Sequence, residues 1–250
     1  MTEYLWLDLV PRAAAEQMAI DTAMVDAARM DGLTLLRLYR WSGDTVSFGA
    51  NEVVLRTWNR ALLEQDGVAC VRRPTGGRAV WHGAADLTYS WAGPARDRAE
   101  VRRIYRDLHE RLAAAIARSD RTVALAAGGA GASLAPGACF DAPVGGEVLV
   151  NGRKVIGSAQ RVFGQHLLQH GAIAIDDRQA ALSRYRLTTV PHPRVTGGGL
   201  DDAEATARDI AATWQRAGVQ PLPADLTSRI VLASERHRSQ YLDPAWTWRR

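Results

Sequence analysis

The chain is almost without lysine. Of its 31 basic residues, 30 are arginine and one, Lys154, is lysine. Lysine is normally among the commonest residues. A GC-rich coding bias, which also favours alanine and glycine, accounts for the shortage but not for the one lysine kept. An ammonium can shift its pKa and move a proton near neutral pH, whereas a guanidinium cannot. Lys154 is therefore the first candidate for chemistry. The shortage excludes a phosphate-binding loop of the G-x-x-x-x-G-K-[ST] type, because Lys154 follows Arg153 and not glycine. It excludes a lysine-rich nucleic-acid arm as well. Cysteine is also scarce: Cys70 and Cys139 are too few for a disulfide framework or a thiolate zinc cluster. The expected setting is cytoplasmic, with thiols reduced. The opening MTEYLWLDLVPRAAAEQ shows no basic region followed by an apolar core, so no secretory signal is expected. Residues 122–140 carry no charge, but they hold four glycines and a proline. A membrane helix needs about 20 mainly apolar residues, and this stretch is expected to be a loop.

What remains is an ordinary globular composition, 47 % hydrophobic and 23 % charged over 250 residues. The net charge of +4 suits an acidic protein or a nucleic acid equally. Apolar spacing predicts helices over 13–30 and 99–118, a second helix over 55–65 and another near 202–217. Strands are expected at 33–41, 45–49, 68–73, 86–91 and 166–176. Asn151-Gly152, flanked by EVLV and RKVI, is a strong hairpin signal that pairs Arg153 with Val150 and Lys154 with Leu149. The PLP at 221–223 marks a junction before a short tail. There is no internal repeat and no linker long enough to separate two domains. Hairpins outnumber strand–helix–strand crossovers, which points to an α+β fold with mixed, mostly antiparallel sheets flanked by helices.

Three segments can carry chemistry. In Arg72-Arg73-Pro74-Thr75-Gly76-Gly77-Arg78-Ala79-Val80-Trp81-His82, paired glycines let backbone N–H groups approach a bound acyl carbonyl, carboxylate or phosphate, with basic side chains around it. A plain turn with solvated arginines is the alternative. Lys154 stands three residues before Gly157-Ser158, and a glycine within a strand often marks close approach by a ligand. Cys139 ends the glycine-rich loop, where little packing is available, only fifteen residues from Lys154. A nearby ammonium would favour its thiolate. Cys70, inside an apolar strand, fits a buried and inert thiol. His166 and His170 are four apart in a strand-like run, too far apart for a metal pair, so no metal site is expected.

Taken together, these segments resemble the superfamily of lipoate–protein ligases, biotin ligases and octanoyltransferases. VRRPTGGRAVWH…ADLTYS is similar to its first signature, and GRKVIGSAQR…LLQHGAIAID to its second. LRLYRW…TVSFG and the MAIDTAM helix match in order and spacing. The resemblance covers about residues 5–185. It implies a catalytic domain like those of class II aminoacyl-tRNA synthetases and biotin ligases, filling 1–250 as one acyltransferase domain with a helical C-terminal extension over about 200–250. It places the signature lysine, which contacts the acyl carbonyl, on Lys154. Substrate contacts then fall on Arg72, Arg73, Thr75, Gly76, Gly77, Arg78, Ala79, Val80 and His82, and on Gly157, Ser158, Ala159, His170 and Gly171.

Ala138-Cys139-Phe140-Asp141-Ala142-Pro143 resembles the A-C-F-[DE]-[AS]-P segment of a cysteine-dependent octanoyltransferase branch. That branch takes octanoyl from acyl carrier protein and passes it to the lysine of a lipoyl-type acceptor, notably glycine cleavage H protein. The resemblance thus implies catalysis by Cys139 and Lys154, with no cofactor, no nucleic acid, no membrane and a monomer. Val80 and Ile156 are candidate walls of an acyl tunnel. Val144-Gly145-Gly146 departs from the polar or aromatic stretch usual after the Ala-Pro pair. Two alternatives stand beside this reading. One is an ATP- and magnesium-dependent lipoate–protein ligase, and the other a non-catalytic relative that binds a lipoyl domain or a small acid.

Overall fold

The computed structural model describes residues 2–117, 121–127, 145–176, 178–188, 200 and 202–249. Strand β1 (Glu3–Arg12) leads into helix α1 (Ala14–Asp31), which ends at Gly32 in the left-handed conformation (φ 66°). β2 (Thr34–Trp41) and β3 (Thr45–Phe48) follow as expected. The helix expected over 55–65 is instead two short ones, α2 (Val54–Thr57) and α3 (Arg60–Gln65). The break falls at Trp58-Asn59. Trp58 is extended and forms a bridge with Arg186, while the Asn59 side chain caps α3 by accepting from Leu62 N–H. β4 (Ala69–Arg72), β5 (Val80–His82), β6 (Leu87–Pro94) and α4 (Arg98–Ile116) come next. Beyond β7 (Val123–Leu125) lie β8 (Val148–Val150), β9 (Arg153–Phe163) and β10 (His166–Ile173). A 3-10 helix (Gln179–Tyr185), α5 (Ala203–Arg216) and the two-residue β11 (Gln220–Pro221) lead to α6 (Ala224–Leu242) and α7 (Pro244–Thr247).

Three departures from the sequence reading stand out. Residues 3–12 form a strand, parallel to β2, where none was expected. Residues 123–125, within the stretch expected to be a loop, form strand β7 against β8. The residues after the 221–223 junction, a short tail by their own spacing, belong to the helical extension that the resemblance implied, and α6 alone runs 19 residues. It was hard to read because it buries only Ile230, Ser234 and Tyr241 and leaves Leu232 and Leu242 exposed.

Eight strands form one mixed sheet in the order β11-β1-β2-β6-β10-β9-β8-β7, and β4-β3-β5 form a second. Helices α4 and α5 cover one face of the large sheet, with Ile104, Leu108, Leu112, Ile210 and Trp214 meeting Leu36, Leu38 and Ile156. Helix α1 covers the other face, and α6 packs on α1. Strands covered on both faces explain why LTLLRLYRW reads as nearly continuous apolar sequence. The exception is Arg37. It lies wholly buried on the α1 face and donates to Asp8, Asp21 and Gln17, which offsets the cost of burying its charge. The 150–153 hairpin turns at Asn151 (φ 50°) and Gly152 (φ 76°) and pairs Val150 with Arg153 and Leu149 with Lys154. Positive φ at both central residues is the geometry the Asn-Gly pair favours. Among the described residues, no helix is long and apolar enough to cross a membrane.

Candidate active site

The first signature forms the turn between β4 and β5. Arg73 folds back into it and donates to the carbonyls of Ser47 (2.7 Å), Gly76 (2.9 Å) and Arg78 (2.6 Å). Gly77 holds a left-handed φ of 88°. Its carbonyl lies so close to Gly49 that a Cβ there would stand 1.8 Å away, so Gly49 must be glycine. Thr75 is wholly buried, with its Oγ1 2.5 Å from His170 Nε2, and His170 Nδ1 lies 3.0 Å from Asp21 Oδ2. Asp21 Oδ1 accepts from Arg37 (3.1 Å) and Ser90 (2.6 Å). The glycine turn is thereby tied through one imidazole to the middle of α1. Arg161 of β9 adds a bond to the Pro74 carbonyl at 2.9 Å.

Arg72 does not join this group. Its guanidinium donates to the carbonyls of Gly49, Ala50 and Glu52 and to those of Trp246, Thr247 and Arg249. It thus fastens the α7 segment to the 49–52 loop. Arg78 is half-buried at the end of the turn, and Ala79 is buried in the core of the small sheet.

A small, mainly apolar pocket lies where the small sheet meets the large one. Met18, Tyr39, Trp41, Val80 and Ala172 give it apolar walls. Arg73, His82, Gly157, Ser158, Ala159, His170 and Gly171 supply the rest of the signature lining. Ile156 is in the main core instead, against the α4 face. His82 stacks on Trp41 (4.2 Å, 24°) and its Nε2 lies 2.8 Å from Ser47 Oγ. Its Nδ1 is buried with no partner among the described residues. Burial, and then the charges of Arg73 and His170, hold the His82 pKa well below the usual 6.5.

Lys154 is 3 % exposed, and its Nζ lies 2.7 Å from Glu147 Oε1, itself buried. The hairpin makes this pair, because β8 and β9 place the residue just before Val148 beside the start of β9. Past Lys154, Gly171 of β10 sits opposite Ser158. A Cβ on Gly171 would be 2.3 Å from Ser158 Oγ and 2.6 Å from Tyr89 Cε1, which explains the glycine after His170. Ser158 Oγ is 2.7 Å from Tyr89 Oη and 2.7 Å from His109 Nε2.

Cys139 lies outside the described residues. His166 is half-buried at the start of β10, and among the described residues no cluster of histidine, cysteine or acidic side chains is arranged to hold a metal. Cys70 is half-buried and its thiol is pushed up to about 12, first by burial and then by Glu64. The sequence reading missed Glu147, Asp21, Tyr89 and His109. The one available signal was a polar residue within an apolar pattern. Asp21 interrupts MAIDTAM, and His109 falls on the stripe of Leu112 and Ile116.

Residues 13–196 match the lipoyl protein ligase A/B catalytic domain family. Octanoyltransferase LipM of Kyrpidia tusciae is 32 % identical over 270 aligned positions, covering 95 % of this chain and 96 % of that one. Octanoyltransferase LipM of Carboxydothermus hydrogenoformans is 37 % identical over 179 positions, 70 % of this chain and 66 % of its own. Among solved structures, lipoate-protein ligase A bound with ATP superposes with a TM-score of 0.78 at 18 % identity, covering 99 % of both chains. The bi-partite lipoate protein ligase of Thermoplasma acidophilum, described with its E2 lipoyl domain, gives 0.77 at 18 % identity over 99 % of this chain and 96 % of that one. The structures share the fold, while the sequence relatives carry the function. The chain therefore belongs to the lipoyl protein ligase A/B catalytic domain family, on its LipM octanoyltransferase branch.

Proposed function

We propose that this octanoyltransferase of lipoate biosynthesis works through an acyl-enzyme on Cys139, within one catalytic domain. It takes octanoyl from acyl carrier protein and delivers it to the lysine of a lipoyl-type acceptor such as glycine cleavage H protein. The observation that carries the reading is the buried Lys154–Glu147 pair on the strand whose continuation, Gly157–Ala159, walls an apolar pocket. A single lysine held as a compact, paired ammonium on the strand that walls this apolar pocket suits polarising an acyl carbonyl. The A-C-F-D-A-P segment around Cys139 supplies the nucleophile.

The steps balance without ATP, because a thioester is already activated. Cys139 thiolate adds to the octanoyl carbonyl carbon, the bond to the carrier sulfur breaks, and the carrier leaves as a thiolate that takes a proton from solvent. The acceptor amine then attacks the Cys139 thioester. A C–N bond forms, the C–Sγ bond breaks, the thiolate is restored, and the amine proton passes to solvent or a basic side chain. Arg73 draws the Gly76 carbonyl toward itself. In a trans peptide that turns the Gly77 N–H the other way, as a donor suited to a developing oxyanion. The positive net charge favours acidic carrier and acceptor domains.

Intact mass spectrometry tests the reading. The protein mixed with octanoyl-acyl carrier protein, without ATP, is expected to gain one octanoyl group that maps to Cys139 and is lost on addition of a lipoyl domain. No adduct, together with transfer of free octanoate that demands ATP, would sink it.

A further inference from the structure

We propose that His109 is a positioning residue of the acyl-transfer site: it fixes the orientation of the Ser158 hydroxyl and tethers the Gly146 carbonyl next to Glu147, which holds Lys154. His109 comes from α4, a helix that carries none of the signature residues. It is wholly buried between the sheet and the helix layer. Its Nδ1 lies 2.7 Å from the Gly146 carbonyl. A carbonyl oxygen can only accept, so Nδ1 carries the proton, and Nε2 of the neutral ring is an acceptor. Ser158 Oγ at 2.7 Å is the nearer hydroxyl and donates to it, with Tyr89 Oη standing off at 3.4 Å.

That assignment propagates. Ser158 has one hydroxyl proton and has used it, so Tyr89 Oη, 2.7 Å away, donates to Ser158. Gln169 Nε2 donates to Tyr89 at 2.6 Å, and Gln160 Nε2 donates to Gln169 at 2.7 Å. Every hydrogen bond from Gln160 to Gly146 therefore points one way. Ser158 retains a second lone pair with no partner among the described residues, and it lines the pocket. An oxygen presented as an acceptor fits an N–H donor, here the amine of the incoming lysine. A charged His109 would donate at Nε2 and reverse the chain. Burial, and then the field of Lys154, depress its pKa to about 4, so the ring stays neutral at working pH.

The inference rests on octanoyl transfer as the reaction and not on Cys139 as its nucleophile. The test uses His109→Asn, Ser158→Ala and the double variant, with octanoyl-acyl carrier protein as donor and a lipoyl domain as acceptor. Each single variant is expected to lower kcat by about 10- to 100-fold, with KM for both proteins within about threefold. The double variant is expected to be no slower than the worse single one, because the two groups act as a unit. Nitrogen-15 NMR of the wild-type imidazole, independent of activity and of any folding defect in the variants, is expected to show a neutral ring protonated at Nδ1 from pH 7 to pH 5. Near-normal kcat in either variant, losses confined to KM, additive losses, or an Nε2–H ring at pH 7 would each overturn the inference. A wild-type protein that transfers no octanoyl while its ring titrates as expected would instead count against the transferase reading.

Discussion

Lys154 has its charge neutralised by Glu147 at 2.7 Å in a place nearly closed to water. Such a pair is a point-to-point contact: the ammonium is compact and can rotate its three donors, whereas a guanidinium is a rigid planar fork. Lys154→Arg keeps the charge but has to seat that fork in a space shaped for one nitrogen. The expected result is a folded protein whose octanoyl transfer falls by at least about 100-fold, since a shift near 1 Å at a reacting group costs that much. Steady-state transfer assays, with circular dichroism to check the fold, measure it, and turnover near that of wild type would remove Lys154 from the role assigned to it. The lysine itself was legible from its rarity and from its place two residues past the Asn-Gly turn. Glu147 was not, because its meaning depends on a cross-strand pairing that brings residue 147 to residue 154. Buried acids announce themselves in sequence only when the surrounding pattern is apolar, and Glu147 follows two glycines.

At the scale of elements, Arg72 is the joint between the end of β4, the 49–52 loop and the α7 segment. Its three nitrogens serve six carbonyls, and Trp246 Nε1 returns a bond to the Arg72 carbonyl at 2.9 Å. No lysine rotamer can reproduce a fork that reaches both sides. Arg72→Lys is expected to cost about 2 kcal/mol, the scale of one or two charge-assisted hydrogen bonds. Amide exchange should quicken across 244–249 and leave β10 unchanged, as read by hydrogen–deuterium exchange; unchanged protection at 244–249 would show that α7 is held by packing alone. The expectation that the whole R-R-x-T-G-G segment faces substrate overlooked how a strand alternates. Arg72 and Arg73 project to opposite sides, so one arginine builds the turn that lines the pocket and the other secures the C-terminal segment. Strands and helices with a clear period were legible throughout, including α1, α4 and the β8–β9 hairpin. By period alone β1 and α6 were not, because their apolar residues are diluted by exposed or charged ones: β1 leaves Leu7 and Val10 in solvent, and α6, expected only through the family resemblance, leaves Leu232. Their stability comes from tertiary packing, β1 on β2 and α6 on α1.

For the whole molecule, burial of titratable groups sets an acid limit. His109 is depressed to about 4 and His82 lies well below 6.5, each chiefly through burial. In the unfolded chain both titrate near 6.5. As pH falls from 7 toward 4 the unfolded state takes up these protons first, so stability falls. Asp86 works in the opposite sense. Burial raises it to about 6, against the pull of the Gly83, Ile175 and Asp176 N–H groups, whereas the unfolded carboxyl titrates near 3.8. The folded state therefore gains its proton first, and stability rises between pH 6 and pH 4. His82, His109 and His166, all held low in the folded state, together outweigh Asp86, so stability is expected to fall from pH 7 to pH 5. In His109→Asn one of these histidine contributions disappears, and the loss should shrink by about 2 kcal/mol, the amount set by a group moved from about 6.5 to about 4. Urea unfolding at both pH values, on the wild type and this variant, measures the difference directly. Equal or greater stability at pH 5 in the wild type would mean that His82 and His109 accept protons in the folded state, and the one-way hydrogen-bond chain that a neutral His109 imposes on Ser158 would go with it.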